Sequence, residues 1–217
     1  MSEKKEESFS MSSFWKTNLP TRNILVILLI IHITLWIISL ATVNIETFRD
    51  AISISQEILI RVGQFNLAVF QGHVYQLLTS IFVHVDLVHL LSNCLFLLVF
   101  GLKAEERLLS WQYYLVFIIS GLMGGILSFV YGPISISAGA SGAIFGLLGA
   151  DLTLMYLHER TKSFWGYVAS GVIFFFIMSF GSPNVNLFAH AIGLITGAII
   201  PFIFKKRRKS SELDFSF

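Results

Sequence analysis

One cysteine, Cys94, stands in 217 residues, so no disulfide framework can hold this chain together from within. Charge is scarce too. Only 13% of the residues are Asp, Glu, Lys or Arg, where a soluble domain carries about 25%. No repeat or low-complexity stretch is visible, and basic residues gather only at the chain ends and in short loops, which excludes a nucleic-acid-binding surface. What is present in quantity is hydrophobic: 55% of the residues, with a mean hydropathy of +0.76. These proportions describe an integral membrane protein, and one compact domain suffices for the length.

Six apolar runs follow one another. Asn23 to Val43 is long enough to cross a bilayer of about 30 Å. It is too long for a cleaved signal peptide, and the segment ahead of it is partly acidic, so a retained helix is expected. The second run begins near Leu87 and ends at Leu102; the others are Trp111–Tyr131, Ser141–Leu157, Phe164–Phe180 and Asn186–Phe204. Residues 1–20 read as a polar arm, 21–204 as the membrane domain, and 205–217 as a basic tail opening on Lys205-Lys206-Arg207-Arg208-Lys209. Between the first two spans, residues 44–75 mix Glu46, Arg49, Asp50, Glu57 and Arg61 with Ile54, Ile58, Leu59, Val62 and Phe65. That segment is too charged to span and too apolar for a linker, and an amphipathic piece lying at the interface fits it.

Six spans put both termini on one side. The arm with Arg22 just beyond it, the loops after spans two and four, and the tail then carry thirteen of the fifteen Lys and Arg, against Arg49 and Arg61 on the other face. Positive charge stays in the cytoplasm, which places both termini there. The expected fold is an all-α membrane protein, a six-transmembrane-helix bundle.

Within the spans, strongly polar groups are costly and point to function. Gly139-Ala140-Ser141-Gly142-Ala143-Ile144-Phe145-Gly146 follows a non-helical approach, 132–138, and opens the fourth span. Ser141 therefore lies at or near a helix N-terminus, where unpaired N–H groups and the helix dipole favour an anion. Alone, this stretch reads more simply as a helix N-cap beside packing glycines. His190 changes the balance. Gly193 and Gly197 lie at i+3 and i+7 from it, while Gly142, Gly146 and Gly149 line a face of the fourth span. Glycine faces let helices approach closely in lipid. If these two meet, His190 can serve Ser141 as general base. Phe145, four residues past Ser141, is placed to pack on the imidazole.

His89 and Asn93, at i and i+4, share a helix face that offers an imidazole and a carboxamide. Taken alone, they are equally well two buried polar groups satisfied by neighbouring helices. Asp151 does not complete a triad: ten residues beyond Ser141, it lies roughly 15 Å further down the same helix. It reads instead as a polar contact near the cytoplasmic end. The serine is not on a Gly-x-Ser-x-Gly elbow either, because Ala143 fills the last position. Cys94 reads as packing.

Together, Gly139-Ala140-Ser141-Gly142, Ala189-His190 with Gly193 and Gly197, and His84, His89 and Asn93 at spacings of five and four resemble the rhomboid intramembrane serine proteases. Leu77–His84 and Phe100-Gly101-Leu102-Lys103-Ala104-Glu105 extend the resemblance, which covers roughly residues 20–205. It implies a six-helix core with Ser141 as nucleophile and His190 as base. The oxyanion would be held by the Ser141 N–H and the side chains of His89 and Asn93. Residues 44–75 would be a half-submerged first loop. The fifth span and a cap around Ser182-Pro183-Asn184 would form a movable side where substrate enters. Substrates would be single-pass transmembrane proteins, cut in or near the membrane. No cofactor, no metal and no nucleic acid is expected, and the partners are the substrates and membrane lipid. The short terminal arms and the lack of a seventh span point to a bacterial plasma membrane. Many members carry Trp-Arg ahead of the second span. Here Gly72-His73-Val74-Tyr75-Gln76 has no arginine, which leaves the loop's anchoring open. Two other functions compete: a non-catalytic rhomboid-like protein that binds membrane clients, and a small transporter using Asp151 and the histidines as a proton relay.

Overall fold

A computed structural model describes residues 19–42, 44–158, 162–180 and 186–204. The cap at Ser182–Asn184, the arm up to residue 18 and the tail from Lys205 lie outside the described residues.

The first helix, α1, runs Leu19–Thr42. It starts four residues ahead of the expected Asn23 because Pro20 falls in the first turn, where a missing N–H is tolerated. The first loop then folds into short pieces: α2 (Phe48–Ile52), α3 (Gln56–Val62), β1 (Gln64–Phe65), α4 (Asn66–Phe70) and α5 (Gln76–Thr79). Thr47 and Asp50 close a capping box on α2, and Ser55 caps α3. The next helix, α6, covers Leu87–Phe96 with Asp86 as its cap, and continues through a π-turn at Leu97–Gly101 into α7, Leu102–Glu105. Helix α8 (Ser110–Leu127) ends in a 3₁₀ turn, Ser128–Tyr131. Strand β2 (Ile136–Ser137) leads into α9 (Ser141–His158), followed by α10 (Lys162–Phe180) and α11 (Leu187–Ile199), which tightens into a 3₁₀ turn at Ile200–Ile203.

Among the described residues, three helical stretches are long and apolar enough to cross a membrane: Leu19–Thr42, Leu87–Glu105 and Ser110–Tyr131. Phe164–Ile177 and Leu187–Ile203 are shorter apolar helices. The chain is a mainly helical membrane protein.

Helix α9 is the axis of the fold. It is apolar all round in its first half, as a buried helix must be. Every residue from Gly142 to Asp151 is buried. Its main partners are α11 and α8. The contact with α11 is backbone on backbone. A Cβ at Gly193 would land on the Gly142 carbonyl, one at Gly197 on the Gly146 carbonyl, and one at Gly149 on the Leu194 carbonyl. The two glycine faces do meet. One detail differs from the sequence expectation: the Cβ direction of Gly146 points at Ser120 of α8, not primarily at α11. Position 146 is thus where three helices crowd.

The first loop is tied to the rest by buried polar side chains. Strand β1 pairs antiparallel with β2, Gln64 opposite Ser137 and Phe65 opposite Ile136. Gln76, where an arginine was expected, is 1% exposed. Its amide donates to the Ile60 carbonyl at 2.8 Å and accepts from the Phe65 N–H at 2.9 Å. The loop is therefore anchored by a neutral amide that offers donor and acceptor at once, with no buried charge to compensate.

Candidate active site

The serine stretch is fixed from outside before α9 begins. Gly139 has φ +133°, a conformation closed to side chains without strain. Its N–H donates to the Ser80 carbonyl at 2.9 Å, and the next N–H, of Ala140, donates to His84 Nε2 at 3.3 Å. Two consecutive amides are thus held by the segment ahead of α6. Ser141 follows as the first residue of α9, where the helix has N–H groups without intrahelical acceptors.

His190 sits in the first turn of α11 and is 3% exposed. Its Nε2 lies 2.7 Å from Ser141 Oγ, within hydrogen-bond reach. The glycine contact between α9 and α11 makes this distance possible, since any side chain at Gly193 would hold the helices apart. The Phe145 ring lies 4.8 Å from the imidazole, tilted by 42°, and also meets Phe175 of α10 at 5.5 Å. It walls one side of His190.

His89 lies against the approach to Ser141, and Asn93 follows one turn later on α6. The His89 ring packs under Gly139: a Cβ there would come within 2.7 Å of Cε1 and 3.0 Å of Nε2. Asn93 is fully buried, and its amide donates to the His89 carbonyl at 2.9 Å. A carboxamide has two N–H donors, so this bond uses one. A small apolar cavity lined by Phe96, Phe100, Ile144 and Phe145 reaches Ser141. The arrangement offers a hydroxyl against an imidazole at a helix N-terminus, with the His89 ring under the adjoining Gly139.

Asp151 is elsewhere. It is 0% exposed and pairs with Arg107 at 2.9 Å, so its carboxylate is engaged well down α9, roughly 15 Å from Ser141. Cys94 is half-buried against the core. Among the described residues no group of three His, Cys, Asp or Glu side chains is placed to hold a metal ion.

Three contributors escaped the sequence reading. His84 was noted for its spacing, yet it bonds the Ala140 amide directly, and its ring meets His89 edge-on at 5.2 Å. His32 of α1 is 2% exposed and faces the segment that carries His84 and Asp86. Asn186 caps α11 one turn before His190. Two of them have a signal in the sequence: His84 in its spacing to His89, and the cap as an Asn directly before an apolar run.

Residues 71–207 match the family model described as the Rhomboid domain, a range that includes His84, His89, Asn93, Ser141 and His190. The YdcA protein of Bacillus subtilis (strain 168), whose name places it with the rhomboid proteases, is 30% identical over 190 residues, covering 84% of this chain and 88% of that protein. Rhomboid protease GluP of the same organism is 37% identical over 150 residues, 67% of this chain but 29% of GluP. RHOMBOID-like protein 6, mitochondrial, of Arabidopsis thaliana is 32% identical over 146 residues, 65% of this chain and 47% of the plant protein. This chain thus spans most of one relative and less than half of the other two. With the family model covering well over half of its length, the chain belongs to the rhomboid family.

Proposed function

We propose that this chain is an intramembrane serine endopeptidase that cleaves single-pass transmembrane proteins in or near the membrane with a Ser141–His190 dyad. The observation that carries it is the 2.7 Å approach of His190 Nε2 to Ser141 Oγ at the start of a buried helix. His190 takes the proton as Ser141 Oγ attacks the scissile carbonyl. The resulting oxyanion lies beside the Ser141 N–H and is met by the side chains of His89 and Asn93. Each such donor contributes roughly 3 kcal/mol to transition-state stability, by analogy with soluble serine proteases. His190 then returns the proton to the leaving amine, and water resolves the acyl-enzyme by the same route. Phe145 steadies the imidazole where soluble enzymes use an acid, since Asp151 is committed to Arg107.

The rest of the reading follows the same frame. Six spans place both termini in the cytoplasm, the first loop 44–75 lies at the interface, and α10 with the cap beyond it forms the side where substrate enters. The location is a bacterial plasma membrane, in keeping with a Bacillus relative that this chain nearly covers.

The test is cleavage of a transmembrane reporter in proteoliposomes. Ser141→Ala and His190→Ala each abolish cleavage while the protein stays folded. A serine-directed fluorophosphonate labels wild type and not Ser141→Ala. Persistent cleavage in either variant refutes the dyad, and a folded wild type that takes no label supports a non-catalytic client-binding protein instead.

A further inference from the structure

The glycine face between α9 and α11 sets how far apart the two helices lie. It does not set where along α9 the second helix stops. Smooth backbone surfaces have no knobs to lock into holes, and one residue of slip moves a side chain by about 1.5 Å along the axis and turns it by about 100°. One side-chain bond fixes register far from the dyad, where Thr153 Oγ1 of α9 donates to the Ala198 carbonyl of α11 at 3.0 Å. At the dyad end, a single amide at the head of α11 bonds the elements around the nucleophile.

Asn186 Oδ1 accepts from the Ala189 N–H at 2.9 Å, and the Asn186 carbonyl accepts from the His190 N–H at 3.3 Å. Half of this residue is therefore an N-cap on the turn that carries His190. The other half faces away from the helix. Its two N–H donors go to Ser128 Oγ and to Ser137 Oγ, the latter at 3.2 Å. Ser137 lies in β2, four residues ahead of Ser141, and its strand is paired to Gln64 of the first loop. Ser128 ends α8 and is 1% exposed; its hydroxyl donates to the Gly124 carbonyl at 2.9 Å, and its own carbonyl accepts from Asn66 at 3.1 Å. Asn66 also donates to the Gly132 carbonyl at 2.8 Å and accepts from Gln64, which donates to the Gly125 carbonyl. The head of α11 is thus bonded to the approach to the nucleophile, to the end of α8 and, through Asn66 and Gln64, to the first loop.

We propose that Asn186 is a positioning residue that fixes the head of α11 relative to the approach to Ser141, and through it the distance from His190 Nε2 to Ser141 Oγ. The proposal rests on the dyad reading above. It follows from chemistry that few residues share: one acceptor for the cap and two donors for the serines, all on one short side chain. Ser or Thr can cap but cannot reach both hydroxyls.

Asn186→Ser separates the two tasks, because serine caps about as well as asparagine. It is measured beside wild type, Ser141→Ala and Ser137→Ala, by reporter cleavage in proteoliposomes and by the rate of fluorophosphonate labelling per folded molecule. A misplacement of about 1 Å costs on the order of a hundredfold in rate. The expected result is a ten- to hundredfold lower kcat with KM changed less than about threefold, and a parallel fall in labelling rate. Ser137→Ala causes a smaller loss that Asn186→Ser masks when the two are combined. Wild-type kcat in Asn186→Ser, with Ser141→Ala inactive, overturns the proposal. So does a cleavage loss that only tracks the folded fraction while labelling per folded molecule is unchanged. If Ser141→Ala still cleaves, it is the dyad reading that fails.

Discussion

Helix α9 has two neighbours that it holds in opposite ways. Against α11 the contact is made by backbone atoms, with Gly142 and Gly146 lying where Cβ atoms of Gly193 and Gly197 would have to go. Against α10 it is made by side-chain tips. A Cβ at Gly171 would first meet the end of the Leu148 side chain, and Phe175 reaches Phe145 edge-on at 5.5 Å, while Phe174 packs edge-on against Phe96 and Phe100 of the α6 stretch at 5.0 and 5.3 Å. The outer face of α10 exposes Trp165, Val172, Ile173, Phe176 and Ile177. Backbone contacts cannot yield without moving a whole helix, whereas ring contacts rearrange by rotamer. The pair that must keep a 2.7 Å distance sits across the first kind of contact, and the wall proposed to admit substrate is the second kind.

The largest effect is expected where a methyl group is forced between the backbones. Gly193→Ala drives a Cβ into the Gly142 carbonyl, so α11 must retreat. Overpacking of this sort costs about 1–3 kcal/mol. A shift of about 1 Å at His190 lowers cleavage on the order of a hundredfold. Reporter cleavage and the thermal midpoint in detergent both fall. Wild-type activity in this variant would dissolve the distinction between the two contacts.

Much of this was legible in the sequence because glycine spacing is a direct record of helix approach. Gly193 and Gly197 at i+3 and i+7 from His190 announce a face, and Ser141 at the head of another glycine-lined span completes the suggestion. What stayed hidden depends on which neighbour a residue points at. The spacing assigns Gly146 to the α11 contact, where its carbonyl does meet Gly197, but its own Cβ direction runs into Ser120 of α8, and helical periodicity gives no means to distinguish two partners crowding one position. The pairing of Gln64 and Phe65 with Ile136 and Ser137 was invisible because two-residue strands about seventy positions apart carry no alternation to detect. Gln76 showed only as a missing arginine. Its anchoring role needs two acceptable partners, the Ile60 carbonyl and the Phe65 N–H, that only the folded loop brings together.

Phe145 belongs to both sides of the comparison, since it touches His190 and Phe175. Phe145→Ala opens a buried site, and such truncations cost about 3–5 kcal/mol in well-packed cores. Because the dyad distance is set by backbone, the loss of activity is expected to be about tenfold, smaller than for Gly193→Ala. A loss equal to that of Gly193→Ala would show that the ring, not the glycine contact, holds the imidazole in place. Phe174→Ala reaches only the α10 side. It removes edge contacts to Phe96 and Phe100, each aromatic pair being worth about 0.5–1.5 kcal/mol. The thermal midpoint drops, while labelling of Ser141 by a fluorophosphonate stays within about threefold of wild type. A collapse of labelling here would mean that α10 supports the dyad after all.

The same substitution made on α10 gives the smallest effect and the sharpest contrast. At Gly171 a new Cβ would lie 3.2 Å from Leu148 Cδ2 and 3.4 Å from Cδ1. These atoms end a flexible side chain, and a small change of χ angle relieves both contacts. Alanine is also the better helix former, by up to about 1 kcal/mol in a helix interior. The two terms oppose each other at similar size, so Gly171→Ala is expected to leave the thermal midpoint and the cleavage rate close to wild type, with any shift upward in stability. One methyl group added on one side of α9 then disables the protein, and the same group on the other side passes almost unnoticed. If instead Gly171→Ala lowers cleavage as Gly193→Ala does while the midpoint holds, α10 must press against α9 more closely during turnover than it does at rest, and the side-chain contact would have to be counted as part of the closed working state.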